Sequence, residues 1–158
     1  MELKTGRLYF VSDNFFEKIN DPYLKTNYAT TSRPHYFAFQ DSKALLYWLV
    51  PVSSKVEKFE TIIKRKQDRH QPTDSIKIVK IMDEKRALLF QDMFPIRKEY
   101  IKEPYIMGGQ PVAISDPNVL MELEKTAHKV ISLLHRGIKF TPTQPDAVRI
   151  EKIMLDEI

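Results

Sequence analysis

The chain has 158 residues, contains no cysteine and carries a formal net charge of +4. This length predicts one compact domain over residues 1–158 with a sizeable apolar core. Without cysteine there are no disulfides or thiolate metal sites, and the four histidines lack metal-ligand spacing, so we expect no metal and no cofactor. No apolar stretch approaches the roughly twenty residues of a membrane span, and the charged start is unlike a signal peptide, so a cytoplasmic protein without a membrane partner is predicted.

The first half of the chain predicts strands and one short helix. Residues 5–11 (TGRLYFV) form the first strand, and Ser12 is expected to cap a helix over Asp13–Ile19. Residues 35–39 and 43–50 are predicted as two strands joined by a turn over 40–42. The second of them is almost continuously apolar, which favours the middle of the sheet, and Pro51 is expected to end it.

The second half predicts a helix, a hairpin and two further helices. Apolar residues at helical spacing indicate a helix over 55–69, and strands over 75–82 and 86–90 form a hairpin with a turn at 83–85. Short strands are expected over 94–101 and 112–114. Asp116 as a cap, Pro117 at the first position and Gly137 at the far end define the most distinct helix, and a last helix begins near Asp146. The whole pattern predicts an α+β fold in which helices flank a central antiparallel sheet.

The most suggestive stretch for chemistry is LVPVSSKVEK, residues 49–58. A buried strand breaks at a proline and then presents Ser53, Ser54 and Lys55 immediately before a helix. Hydroxyls, a lysine and the free amides of a helix start together suit a phosphate group. Serine is also common at helix starts for purely local reasons, so helix capping explains the same residues.

Other polar and aromatic residues suit contacts with a polyanion such as RNA. The modest basic excess fits such a partner without requiring it. Loop tyrosines offer stacking surfaces, and the segment Ser32 to Tyr36 places a cation, an imidazole and an aromatic ring at the start of a strand. A basic run, Lys64 to His70, could follow a phosphate backbone, although such runs are usually solvated helix faces.

Read in order, several segments resemble the ToxN-like endoribonuclease toxins of type III toxin–antitoxin systems, in particular the CptN branch. The segments that carry the likeness are GRLYFVSDNFFEKI, SRPHYFAF, YWLVPVSSKVEKF, LLFQDMFPI and HRGIKFTPTQPDA. They are short but cover nearly the whole chain. The resemblance implies a fold like that of the MazF and Kid toxins.

The resemblance also implies metal-independent cleavage of RNA, in which the ribose 2′-hydroxyl attacks its own phosphate and leaves a 2′,3′-cyclic phosphate and a 5′-hydroxyl. By this likeness Ser53 and Ser54 take the hydroxyl positions of the active-site turn and Lys55 the cation. Some members have a further proline before that lysine, so either Lys55 or Lys58 is expected to reach the phosphate. The general base is left open between His35, Lys58 and a tyrosine, and His35 has the most suitable ordinary pKa.

The same likeness implies a small pseudoknotted antitoxin RNA as the inhibitor, cut from its precursor by the toxin itself, alongside cellular RNA substrates. Protein and RNA are expected to alternate in a closed hetero-oligomer. The residues predicted to contact RNA lie in the loop 23–33 and the strand that follows it, in the helix over 55–69, and in the segment 139–143; they are Tyr28, Arg33, Tyr36, Lys58, Lys64, Arg65, Lys66, Arg69, Lys139 and Thr141. A non-catalytic module for structured RNA and a small protein-interaction domain are the competing interpretations.

Overall fold

A computed structural model describes residues 1–28, 30–41, 43 and 45–157 of the chain. Within these residues a central antiparallel sheet is flanked by four α-helices, which confirms the predicted α+β fold. The helices are α1 (Asp13–Ile19), α2 (Val56–Asp68), α3 (Pro117–His135) and α4 (Ala147–Asp156). The strands are β1 (Leu8–Val11), β2 (Pro34–Asp41), β3 (Leu46–Ser53), β4 (Lys77–Ile81), β5 (Glu84–Leu88), β6 (Phe94–Ile96), β7 (Ile101–Pro104), β8 (Ile106–Met107) and β9 (Gln110–Pro111).

The main sheet contains seven of these strands, in the order β4-β5-β3-β2-β1-β7, with β6 paired to β3 beside this path. Every pairing is antiparallel. Strands β8 and β9 form a separate small hairpin. The strand predicted to be central, β3, is indeed the most connected, because β2, β5 and β6 all pair with it.

The prediction that Pro51 ends the strand was wrong, because β3 continues through it to Ser53. On one side β3 pairs with β2 as far as His35 opposite Pro51, and on the other it pairs with β6 and then, from Val52, with β5. Pro51 lies in the gap between these two neighbours, and its carbonyl accepts the Leu89 N–H at 3.0 Å. A proline without an N–H is tolerated where a ladder changes partner. The predicted start of the strand at 43–44 includes Ala44, which is outside the described residues.

Two layers of helices cover the two faces of the sheet. The first apolar cluster lies between one face and α3, and it includes Trp48, Val50 and Val52 of β3. The second lies on the opposite face, where α1 and α4 bury Phe15 and Ile150. A third, smaller cluster lies between α2 and the β4–β5 hairpin. Successive side chains of β3 therefore point to opposite faces of the sheet, and this alternation determines which face each side chain at the end of β3 points to.

The predicted ends of the last two helices are confirmed. The Asp116 carboxylate accepts the Asn118 N–H at 2.9 Å, and Asp146 accepts the Arg149 N–H at 3.1 Å. Gly137 follows α3 with a φ of 82°. In α1, Ser12 occupies the cap position but its side chain makes no cap hydrogen bond.

The bounds of two predicted groups of short strands differ from those in the structure. The β4–β5 turn consists of Met82 and Asp83, with φ values of 53° and 66°, so β5 begins at Glu84 rather than at Arg86. Positive φ at both central residues is the geometry of a tight type I′ hairpin. The strand predicted over 94–101 is divided into β6, a 3-10 turn and β7, and residues 112–114 contribute only an isolated bridge between Arg7 and Ala113.

Candidate active site

The end of β3 forms a sharp corner in which the two serines have different roles. Ser53 is 9% exposed, and its Oγ accepts the backbone N–H of Lys55 at 3.2 Å. The Ser54 carbonyl accepts the N–H of Val56, where α2 begins, while Lys55 occupies the cap position without a side-chain bond. Local capping therefore accounts for Ser53. It does not account for the exposed Ser54 hydroxyl, which makes no hydrogen bond with any described residue.

Ser54 lines a groove with a cavity volume of about 290 Å³. The groove opens where the first apolar cluster reaches the surface, so its floor is apolar while its rim carries polar and aromatic side chains. This groove, called the central groove below, is lined by Leu8, Tyr28, Pro34, Val52, Ser54, Ile81, Met82, Glu84, Arg86, Tyr105, Met107 and Val112. The structure thus brings together two predicted residues, Ser54 and Tyr28, that are 26 positions apart in the chain.

A network of hydrogen bonds holds the loop that carries Tyr28 and Arg33. The Asn27 side-chain amide donates to the Val11 carbonyl and to the Asp13 carboxylate, both at 2.8 Å, and its oxygen accepts the Arg33 N–H at 3.0 Å. The Arg33 guanidinium lies 4.5 Å from the centre of the Tyr28 ring. The loop is therefore held against the end of β1 and the start of α1, and of the stacked pair Tyr28–Arg33 only Tyr28 lines the central groove.

The structure corrects the expectation for His35, which was a candidate general base because of its ordinary pKa. Its side chain is fully buried, and burial lowers its pKa from 6.5 to about 3. Nδ1 lies 3.0 Å from the Arg33 carbonyl, so this nitrogen carries the hydrogen, and Nε2 has no hydrogen-bond partner among the described residues. His35 is neutral at physiological pH and does not reach solvent, so it cannot act directly on a bound substrate in this conformation.

Tyr36 also lies in the interior instead of on an RNA-binding surface. It is 1% exposed within the first apolar cluster, and burial raises the pKa of its hydroxyl.

A second buried polar group is Asp92, on which Lys25 and Arg33 act electrostatically. Burial outweighs these cations and raises the pKa of Asp92 to about 6.

The basic residues of α2 lie apart from the central groove. Lys58, Lys64, Arg65 and Arg69 are exposed, while Lys66 is half-buried and donates to the Ser75 hydroxyl at 3.2 Å. Helix α2 packs on the side of the β4–β5 hairpin that carries Ala87, whereas the groove lies on the side of Ile81 and Arg86. Adjacent residues of a strand face opposite sides, so the structure does not bring the α2 cations together with Ser54.

Lys139 and Thr141 occupy a third location, between the end of α3 and the start of α4. Lys139 lines a small cavity of about 260 Å³ beside Gln144 and Asp146. The Thr141 hydroxyl accepts the Thr143 N–H at 3.2 Å, and the Thr141 backbone N–H donates to the Gln144 side-chain oxygen. Neither Lys139 nor Thr141 lines the central groove, and the small cavity shares no lining residue with that groove.

Two further surface grooves adjoin the central groove. One, of about 660 Å³, runs between β4 and the start of α3 and shares Met82 with it. The other, of about 450 Å³, lies beside Phe10 and shares Pro34 and Tyr105 with it. Each of these two grooves therefore borders the central groove through shared lining residues, and Ser54 belongs to the central groove alone.

Sequence reasoning missed Glu84 and Arg86, the charged side chains of the central groove. The segment 83–85 was interpreted as a turn and Arg86 as the first residue of a strand, so neither was considered as part of a site. The alternation of β5, in which Ala87 faces α2 and Leu88 faces the first cluster, places Arg86 on the groove side. Only the pairing of β5 with the end of β3 brings that side next to Ser54.

No group of three or more His, Asp or Glu side chains in the part of the chain that the structure describes is arranged to bind a metal ion. None of the helices in that part is long and apolar enough to cross a bilayer.

Comparison with known proteins identifies a shared fold. No family model matches the sequence, and no curated protein is significantly similar to it. The α+β fold is nevertheless similar to that of the solved structure of AbiQ, with a TM-score of 0.75 and 11% sequence identity over 98% of each chain. AbiQ is described as a lactococcal anti-phage endoribonuclease belonging to a type III toxin–antitoxin system. At 11% identity this likeness shows the fold, which is the fold expected from the ToxN-like resemblance.

Proposed function

We propose that the chain is an endoribonuclease toxin of a type III toxin–antitoxin system, acting in the cytoplasm as one domain. The observation that carries the proposal is the central groove, whose lining at the end of β3 combines a guanidinium, two tyrosines and an exposed hydroxyl that makes no hydrogen bond with any described residue. The fold shared with AbiQ along 98% of the chain supports it. The short sequence segments favour the CptN branch.

The proposed reaction is an in-line attack of a ribose 2′-oxygen on the adjacent phosphorus. The new P–O2′ bond forms as the P–O5′ bond breaks, the 2′-hydroxyl gives its proton to water, and the leaving 5′-oxygen takes a proton from water. The products are a 2′,3′-cyclic phosphate and a 5′-hydroxyl, and no metal is required. Ser54 would donate a hydrogen bond to the phosphate, Ser53 would hold the Lys55 amide in place, and Lys55 would add positive charge beside the corner.

The shape of the surface favours a single strand of RNA as the bound form at the cut site. The central groove shares lining residues with a groove on either side, and Tyr28 and Tyr105 line it. Unpaired bases stack on tyrosine rings, whereas a duplex keeps its bases inside. The stacked Arg33 adds a cation next to the Tyr28 ring.

The proposed inhibitor is a small pseudoknotted antitoxin RNA, which would form a closed assembly with the protein. Its contacts would include the exposed cations Lys64 and Arg65 of α2, Arg69 directly after the helix, and the segment with Lys139 and Thr141. These surfaces lie outside the central groove, so a structured RNA can extend beyond the cut site. A structured RNA is recognised mainly by its shape and its phosphates, which suits separate basic surfaces.

The test is to incubate the purified chain with single-stranded RNA in EDTA and analyse the ends. We expect 2′,3′-cyclic phosphate and 5′-hydroxyl termini, and no cleavage when the nucleotide before the cut carries a 2′-deoxy sugar. Binding of RNA without cleavage would instead favour the non-catalytic module. For the inhibitor, short tandem repeats upstream of the gene and a co-purifying RNA of one repeat unit are the expected observations.

A further inference from the structure

The side chain of Arg86 lies in the central groove opposite the serine corner. Arg86 belongs to β5, where it pairs with Val79, and its side chain is 32% exposed. It shares the groove lining with Ser54, whereas Lys55 is not part of that lining. Among the described lining residues, Arg86 is the only cation and Glu84 the only anion.

Two neighbours hold the Arg86 guanidinium. Nη1 donates to the Lys85 carbonyl at 2.7 Å, and Nη2 forms an ion pair with the Glu84 carboxylate. A guanidinium has five N–H donors, so these contacts leave donors free for a ligand. The Glu84 side chain is 67% exposed and lies at the rim of the groove, so it holds the Arg86 guanidinium from the solvent side.

From this arrangement we propose that Arg86 binds the scissile phosphate inside the groove, and that Glu84 is a positioning residue that holds its guanidinium. The inference rests on the proposed function, because it names the cation of that reaction. A planar guanidinium matches two phosphoryl oxygens at once, and its pKa keeps it charged throughout. Arg86 therefore neutralises the charge that grows on the phosphoryl oxygens, and it neither gives nor takes a proton.

Position distinguishes Arg86 from the other cations considered. Lys55 is exposed at the start of α2, outside the groove lining. Arg33 is already engaged, since its Nε donates to the Thr26 carbonyl at 3.1 Å and its guanidinium stacks on Tyr28. Electrostatic stabilisation acts most strongly where the developing charge is held away from bulk water, which favours the half-buried Arg86 over the exposed Lys55.

The chain contains a matched control for the Glu84–Arg86 pair. Arg97 forms the same kind of ion pair with Glu99, two positions away, at 3.0 Å. The side-chain exposures are similar, 23% for Arg97 and 64% for Glu99. Arg97 and Glu99 lie in a different surface depression that shares no residue with the central groove.

The experiment measures cleavage of a short single-stranded RNA by Arg86→Gln, Arg86→Lys and Arg97→Gln, each checked for an unchanged Tm. We expect Arg86→Gln to lose about 100-fold to 1,000-fold in kcat/KM, and Arg86→Lys, which keeps the charge but not the planar fork, to lose about tenfold. Arg97→Gln should cleave like the wild type. Should Arg86→Gln fail to fold, Arg86→Lys alone decides.

Two further readouts separate a contact with phosphate from a structural role. Replacing a non-bridging phosphate oxygen at the cut site by sulfur should slow the wild type for one diastereomer, and this difference should shrink in Arg86→Gln. Glu84→Gln should lower kcat about tenfold without raising KM, because it loosens the guanidinium but also removes a negative charge from the rim. An unchanged sulfur effect in Arg86→Gln would contradict the phosphate contact.

The outcomes for the inference and for the function are distinguishable. If the wild type cleaves RNA and both Arg86 variants stay within about threefold of it, Arg86 is not the phosphate-binding group while the proposed function stands. If the wild type cleaves no RNA, both are overturned. A loss in Arg97→Gln equal to that in Arg86→Gln would also contradict the inference, since it would show a general effect of breaking such pairs.

Discussion

Burial decides what His35 can do. Its neighbours in the chain, Arg33 and Pro34, gave it the character of a surface residue, and an imidazole beside a cation suits acid–base chemistry. In the fold, His35 points between Phe16 and Phe94, with ring centres 6.3 Å and 5.4 Å away. Sequence cannot reveal this, because the aromatic rings come from two distant elements.

The lowered pKa of His35 predicts that the imidazole destabilises the protein in acid. The unfolded chain takes up a proton near pH 6.5, whereas the folded chain does so only near pH 3. Between these values the unfolded state binds more protons, so the free energy of unfolding falls by up to about 1.4 kcal/mol per pH unit as the pH decreases.

The variant His35→Asn keeps a donor for the Arg33 carbonyl but removes this titration. From pH 7 to pH 4.5 we expect the stability advantage of the wild type over the variant to shrink by about 2–3 kcal/mol, as measured by urea unfolding. The raised pKa of Asp92 acts in the opposite direction below pH 6, but it is common to both proteins and cancels in the difference. Parallel stability curves for the two proteins would contradict the buried, neutral imidazole.

At the scale of elements, the ends of helices were readable and the ends of strands were not. Asp116 and Asp146 cap their helices as predicted, because a cap depends on a few neighbouring residues. The extent of β3 past Pro51 depends on which strands pair beside it, and that information is distributed along the chain. The β4–β5 turn was misplaced for a local reason, because its two central residues, Met82 and Asp83, are not the glycine or asparagine that usually indicate positive φ.

Gly6, which lies just before β1, packs so closely against α3 that a substitution can test how tight this packing is. Gly6 has a φ of 90°, and a Cβ built on it would lie 2.8 Å from both the Ile114 carbonyl oxygen and a methyl group of Leu120. Gly137, after α3, has a similar φ of 82°, but a Cβ there would meet nothing within 4 Å. A side chain at either position would be strained by the positive φ, but only at Gly6 would its Cβ also clash with neighbouring atoms.

Gly6→Ala should therefore be more destabilising than Gly137→Ala. We expect a loss of about 1–2 kcal/mol at Gly137 from the left-handed conformation alone, and a further loss of about 1–3 kcal/mol at Gly6 from the clash with backbone and core. Thermal and urea unfolding of the two variants measure the difference. Equal losses would show that the packing of Leu120 against Gly6 is not as tight as described.

At the scale of the whole molecule, the sequence predicted the class of fold and half of the candidate site. Hydrophobic periodicity identified the helices and the central strand, because these signals repeat over many residues. Ser54 and Tyr28 were predicted from their residue types, and the structure places both in one groove. Glu84 and Arg86 were not, since they enter the site only through the pairing of β5 with β3.

The separation of α2 from the central groove makes a prediction about the two proposed RNA roles. Replacing Lys64, Arg65 and Arg69 by Gln should weaken binding of a structured antitoxin RNA and reduce the slope of log K against log salt by about 0.7–0.9 for each phosphate that is no longer neutralised. Cleavage of a short single strand should be unchanged, because α2 covers the other side of the hairpin. Impaired short-strand cleavage with intact antitoxin binding would contradict this division of the surface.

Ser54 is the residue on which the proposed cleavage depends most, because its hydroxyl makes no hydrogen bond with any described residue and lines the central groove. The direct measurement is single-turnover cleavage of a short RNA by Ser54→Ala, with Ser132→Ala on the exposed side of α3 as the matched removal of a serine hydroxyl. The account predicts that Ser54→Ala cleaves about 100-fold more slowly or worse at an unchanged Tm, while Ser132→Ala cleaves at the wild-type rate. Cleavage by Ser54→Ala at the wild-type rate would contradict it.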